Sequence, residues 1–66
     1  MKNVRVRVVE SCGGVIWWPA ICKGKRRIFE QNRVYDYKYN AQRAAKSIAK
    51  QIGIKYDPEI LKLHDC

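Results

Sequence analysis

The chain has 66 residues, with 14 Lys and Arg against six Asp and Glu for a formal net charge of +8, and 47% of it is hydrophobic. A chain this short buries only roughly 60% of the surface its unfolded form exposes, so one domain with a thin core and no deep substrate cleft is expected. Its longest uncharged apolar stretch, Val15 to Cys22, is broken by Pro19 and falls far short of the ~20 residues of a membrane span, while the charge directs attention to polyanionic partners.

The amino terminus, Met1-Lys2-Asn3-Val4-Arg5, alternates Val and Arg instead of leading from a basic segment into an apolar run. No secretory signal is expected, and the chain reads as soluble and cytoplasmic. Val4, Val6 and Val8 alternate with Arg5 and Arg7, the period-2 pattern of a half-buried strand over about Asn3 to Glu10. Gly13-Gly14 supplies the positive φ angles of a tight hairpin, and Val15 to Cys22 follows as a second strand. Lys23-Gly24-Lys25 marks another turn, and Arg26 to Glu30 closes a three-stranded antiparallel meander. Residues 31–39, with Tyr35, Tyr37 and Tyr39 at period two, read as an extended connector whose tyrosines form a semi-buried edge packed on the helix, with stacking on unpaired bases as the alternative.

Asn40 is the expected N-cap of a helix over about 41–52, because Ala41, Ala44, Ala45, Ile48, Ala49 and Ile52 recur at spacings of three and four. Gly53 ends it in a left-handed cap, with Ile54 packing back on the last turn. Asp57-Pro58-Glu59 carries a helix-start signal, so a short final helix over about 58–63 docks on the core. The fold class is thus α+β, a β-β-β-α unit with a short carboxy-terminal helix, forming one domain over residues 1–66.

Strand parity sorts the charge. A two-residue turn at Gly13-Gly14 sets Cys12 opposite Val15 and gathers Val4, Val6, Val8, Val15, Trp17 and Ile21 on a core face. The other face then carries Arg5, Arg7, Ile16, Trp18, Ala20 and Cys22, and a two-residue turn at Gly24-Lys25 adds Arg27 and Phe29. Guanidinium groups neutralise phosphates and flat rings stack on bases, so a basic and aromatic sheet face suits nucleic acid. The turn Lys23-Gly24-Lys25-Arg26-Arg27 adds phosphate contacts, and Arg33 continues the positive run. The expected binding set is Arg5, Arg7, Trp18, Lys23, Lys25, Arg26, Arg27, Phe29 and Arg33. Pro19 is the place where a bulge is expected to disturb this parity. Lys46 and Lys50, on the polar helix face, read as solubilising.

Three cysteines without a signal peptide read as reduced thiols. Nine residues separate Cys12 from Cys22, and His64 and Cys66 fall at the chain end, so the paired spacing of a zinc site is missing. The acidic residues Glu10, Glu30, Asp36, Asp57, Glu59 and Asp65 show no spacing that gathers two on one helical face, and no Walker, G-x-S-x-G or H-E-x-x-H motif occurs. The expectation is a non-enzyme without metal or cofactor.

Trp17-Trp18 in the second strand, the Lys23-Gly24-Lys25-Arg26-Arg27 turn and Ala44-Ala45 in the helix, set within three strands and a helix over Val4 to Ile52, resemble the arm-binding amino-terminal domain of tyrosine integrases and the related plant AP2-type domain. The resemblance implies a sheet that enters the major groove with the helix behind it, and a DNA-facing role for Arg5, Arg7, Trp18 and Arg27. It favours duplex DNA over RNA. The alternative is a phage-type or mobile-element modulator that presses the same patch on an acidic host protein, since such a surface also selects Arg and aromatic partners.

Overall fold

The structure, a computed structural model, describes residues 3–11, 13–24 and 26–63. The alternation of Val and Arg forms strand β1, Val4–Glu10, with Val4, Val6 and Val8 buried and Arg5 and Arg7 half-buried. β1 pairs antiparallel with β2, Trp17–Lys23, in the register Val6↔Ile21 and Glu10↔Trp17. That register is the one a Gly13-Gly14 hairpin implies, although the loop is wider than two residues. The Ser11 hydroxyl accepts the backbone N–H groups of Val15 and Ile16, and Ser11 N–H donates to the Ile16 carbonyl at 2.9 Å. Val15, expected in the core, is therefore 68% exposed in the loop. The expected partner of Val15, Cys12, lies outside the described residues.

β2 pairs antiparallel with β3, Arg26–Glu30. Lys23 faces Arg26 across the turn at Gly24, whose φ of 63° only glycine adopts freely. The register then shifts, because Ile21 pairs with Phe29 while its neighbour Cys22 pairs with Arg27, leaving Ile28 as an extra residue in β3. Pro19 causes no bulge. Its carbonyl accepts the Gln31 N–H at 3.2 Å, so its own donor-less nitrogen faces the end of the β3 ladder, where little is lost.

Helix α1, Lys38–Ile52, begins two residues before Asn40, with Tyr37 at the cap and no side-chain cap bond. Ala41, Ala45 and Ala49 are its buried residues, at the four-residue spacing that aligns one helix face, and they pack on Val6 and Val8 with Ile48, Ile54 and Tyr56 around them. Gly53 takes the left-handed cap at φ 72°, and Ile54 N–H donates to the Ala49 carbonyl at 3.1 Å.

The expected three-stranded meander and carboxy-terminal helix give way to a five-stranded mixed sheet. β4, Lys55–Tyr56, and β5, Leu61–Lys62, both run parallel to β1 on the edge away from β2, in the order β3-β2-β1-β4 with β5 also on β1. Two causes override the helix signal at Asp57-Pro58-Glu59. The free edge of β1 offers backbone partners, taken by Asp57 N–H to the Val6 carbonyl and Leu63 N–H to the Glu10 carbonyl. Asp57 itself closes a local turn, its Oδ1 accepting the Glu59 N–H at 2.9 Å. Ile60 consequently packs on the helix side while Leu61 and Leu63 pack on the opposite face.

That opposite face holds a second apolar cluster. Val9, Ala20 and Cys22 are at most 3% exposed, under Trp18, Leu61 and Leu63. Leu61, Leu63 and Trp18 thus cover this face at the Leu61 end, while towards the β2–β3 turn its outer side chains are Arg5, Arg7 and Arg27. No helix among the described residues is long and apolar enough to cross a membrane.

Candidate nucleic-acid interface

Register places the cations. Arg5 faces Cys22 on one side and Lys55 on the other, and Cys22 faces Arg27, so Arg27, Cys22, Arg5 and Lys55 form one row across four strands. Residues in register share a face, and strands are spaced by about 4.8 Å, so this row carries three cations over roughly 15 Å. The adjoining row, Val4, Lys23 and Arg26, has the opposite parity, so Lys23 and Arg26 leave the sheet on the helix side, at the end where the β2–β3 turn lies. A depression of about 470 Å³ opens there, lined by Asn3, Arg5, Arg7, Lys23, Gly24 and Asp57.

Arg7 is committed to the fold. Its Nε and Nη2 donate to Asp57 Oδ2 at 3.1 and 3.0 Å, and Nη1 donates to the Gly24 carbonyl at 3.0 Å. One guanidinium thereby joins the carboxy-terminal arm and the β2–β3 turn to β1. The Glu59 backbone N–H on Oδ1, with the Arg7 guanidinium on Oδ2, holds the Asp57 carboxyl below the usual carboxylate range. Arg27 donates to Glu30 Oε2 at 3.2 Å, and the Trp18 indole N–H donates to the same oxygen at 2.6 Å. Arg7 and Arg27 are therefore in ion pairs, which leaves Arg5, Lys23, Arg26 and Lys55 without a carboxylate partner among the described residues.

The nine expected residues divide accordingly. Arg5 and Arg27 share a row on the face away from the helix, Arg5 and Lys23 line one depression, and Arg26 stands on the alternate face beside the turn, while Arg7 braces β1 to the turn and to Asp57. Trp18 is half-buried in the second apolar cluster and tied to Glu30, so it offers no open stacking platform. Phe29 lies on the helix side of the sheet, beside Ile21 and Ile48, because the extra residue Ile28 inverts the parity of everything after it. Lys25 lies outside the described residues. Arg33 sits apart on the connector, its guanidinium 5.2 Å from the Tyr35 ring centre. Sequence reasoning missed Lys55. The apolar-polar-apolar run Ile54-Lys55-Tyr56 after the Gly53 cap was the signal for a short strand that would set Lys55 beside Arg5.

Cys22 is a free, buried thiol, and burial pushes its pKa up despite the nearby Arg7 and Arg27. Cys12 and Cys66 lie outside the described residues. No three of the described His, Cys, Asp and Glu residues gather as a metal site requires. No protein-family model matches the chain, and neither a curated protein nor a solved structure matches it.

Proposed function

We propose that the chain is a small non-catalytic nucleic-acid-binding protein that grips the phosphate backbone of duplex DNA with the β2–β3 turn end of its sheet. The observation that carries this reading is the set of Arg5, Lys23, Arg26 and Lys55, which register gathers around the β2–β3 turn end of the sheet without carboxylate partners among the described residues. Cations held on a rigid sheet neutralise phosphates and release condensed counterions, while base reading needs side chains that reach into a groove. The contact is accordingly one of backbone recognition, with little sequence preference. The likeness to the arm-binding domain of integrases supports a sheet-led approach with the helix on the far side, minus the stacking role of Trp18.

The test is charge reversal at exposed positions. Arg26→Glu and Lys55→Glu each weaken binding to a duplex oligonucleotide in fluorescence anisotropy, with circular dichroism unchanged, whereas Lys50→Glu on the helix does not. Equal affinities for all three variants would overturn the proposal. A second reading, an acidic protein partner, draws on Ile28 and Phe29, which are 51% and 63% exposed on the edge strand β3 beside Arg26 and Arg27. It becomes the better one if the wild type binds no duplex below about 10⁻⁴ M, the weak end of non-specific affinity.

A further inference from the structure

Away from the sheet end, the connector and the first turns of α1 build a different surface. A depression of about 400 Å³ is lined by Arg33, Tyr35, Asn40, Arg43 and Ala44. Arg33 lies over the Tyr35 ring at 5.2 Å, and Arg43 lies over the Tyr39 ring at 5.8 Å. Tyr37 and Tyr39 are nonetheless 70% and 67% exposed, although a tyrosine that serves packing hides most of its ring. Asn40, freed from capping because the helix starts at Lys38, is exposed on the rim of the depression. Lys38 adds a further exposed cation, and Asp36 is the single acidic residue between Gln31 and Lys50.

We infer that this surface is a second site, specific for unpaired nucleotides: a base stacks on the exposed Tyr39 ring while Arg33 and Arg43 hold the flanking phosphates. The chemistry needs each part. A base within a duplex has both faces covered, so an outward tyrosine ring gains a partner only where the strand is single. The Arg33 and Arg43 guanidinium groups, 5.2 and 5.8 Å from the Tyr35 and Tyr39 ring centres, are within cation–π range and supply the phosphate charge. The carboxamide of Asn40 donates and accepts at the edge of the depression, as pairing with a base edge requires. The inference goes beyond backbone binding by the sheet, since none of Arg33, Tyr39, Asn40 or Arg43 belongs to that set.

The probe is a fluorescein-labelled oligo-dT compared with an abasic strand bearing the same number of phosphates, measured by anisotropy against the wild type, Tyr39→Leu, Arg43→Gln and Arg26→Glu. Stacking by a base is expected to favour the intact strand over the abasic one by about five- to 150-fold. The preference falls to about one in Tyr39→Leu, and in Arg43→Gln the intact strand binds more weakly with a reduced preference. Arg26→Glu keeps the full preference while losing duplex affinity, which separates this site from the sheet end. Equal binding of intact and abasic strands by the wild type, or a preference retained in Tyr39→Leu, would overturn the inference. Binding of an acidic peptide in place of either strand would do the same.

Discussion

Replacing Asp57 by Asn removes the carboxylate that fastens the carboxy-terminal arm to the sheet. The pair is doubly bonded, at 3.1 and 3.0 Å, with side chains 14% and 26% exposed for Arg7 and Asp57. Hydrogen bonds to charged groups contribute about 1.5–3 kcal/mol when shielded, and solvent-exposed pairs about 0–1, so this half-shielded pair is worth about 1–2 kcal/mol. Asn retains the turn bond from the Glu59 N–H, which confines the loss to Arg7. For a domain of this size each kcal/mol lowers Tm by about 4–8 °C, and the variant therefore melts roughly 4–16 °C below the wild type at neutral pH. The pH dependence follows from the lowered carboxyl pKa. Stabilisation by Asp57 is complete above its unfolded value near 3.8 and is lost as pH falls through the lower folded value. Thermal melts followed by circular dichroism should thus show a gap that closes on acidification. A gap under about 2 °C at neutral pH, or one that persists unchanged in acid, refutes the brace.

Three further outcomes are expected. Val6→Asp, which sets a carboxylate at a fully buried position between β1 and the alanine face of α1, abolishes the cooperative melt and the native circular-dichroism spectrum. Gly53→Ala lowers stability by about 1 kcal/mol in urea titrations, because nothing crowds the added methyl group but φ of 72° disfavours it, and Gly53→Asn loses less. With Cys12 and Cys66 replaced by Ser, the Cys22 thiol resists a thiol reagent in the native protein and reacts on unfolding, whereas fast native labelling would contradict its burial.

Much of the fold was legible where local pattern and tertiary need agree. The Val and Arg alternation gives β1, and the four-residue alanine spacing together with Gly53 gives α1 and its end. Widening the first loop by one residue on each side left the register unchanged, so Val6↔Ile21 survives a wrong turn type. The expected bulge was misplaced, since Pro19 sits where its missing donor costs little while an unmarked Ile28 shifts Phe29 to the other face. The carboxy-terminal segment was misread for a different reason. Asp57-Pro58-Glu59 is a helix start by local chemistry, but a bond from residue 7 and an open edge of β1 decide its structure, and neither shows in a short window of sequence. Of the candidate site, Arg5 was readable from parity and the turn cations from the charge run around Gly24. Lys55 depends on the parallel pairing, and the exposure of Tyr37 and Tyr39 depends on where α1 begins.

The most direct test of phosphate binding by the sheet end is the salt dependence of duplex affinity for the wild type and Arg26→Gln. With Arg5, Lys23, Arg26 and Lys55 each neutralising one phosphate, the logarithm of the association constant falls against the logarithm of salt concentration with a slope of about −3.6. Arg26→Gln brings the slope to about −2.7, one contact fewer. A slope near zero, or one identical in the two proteins, would contradict it.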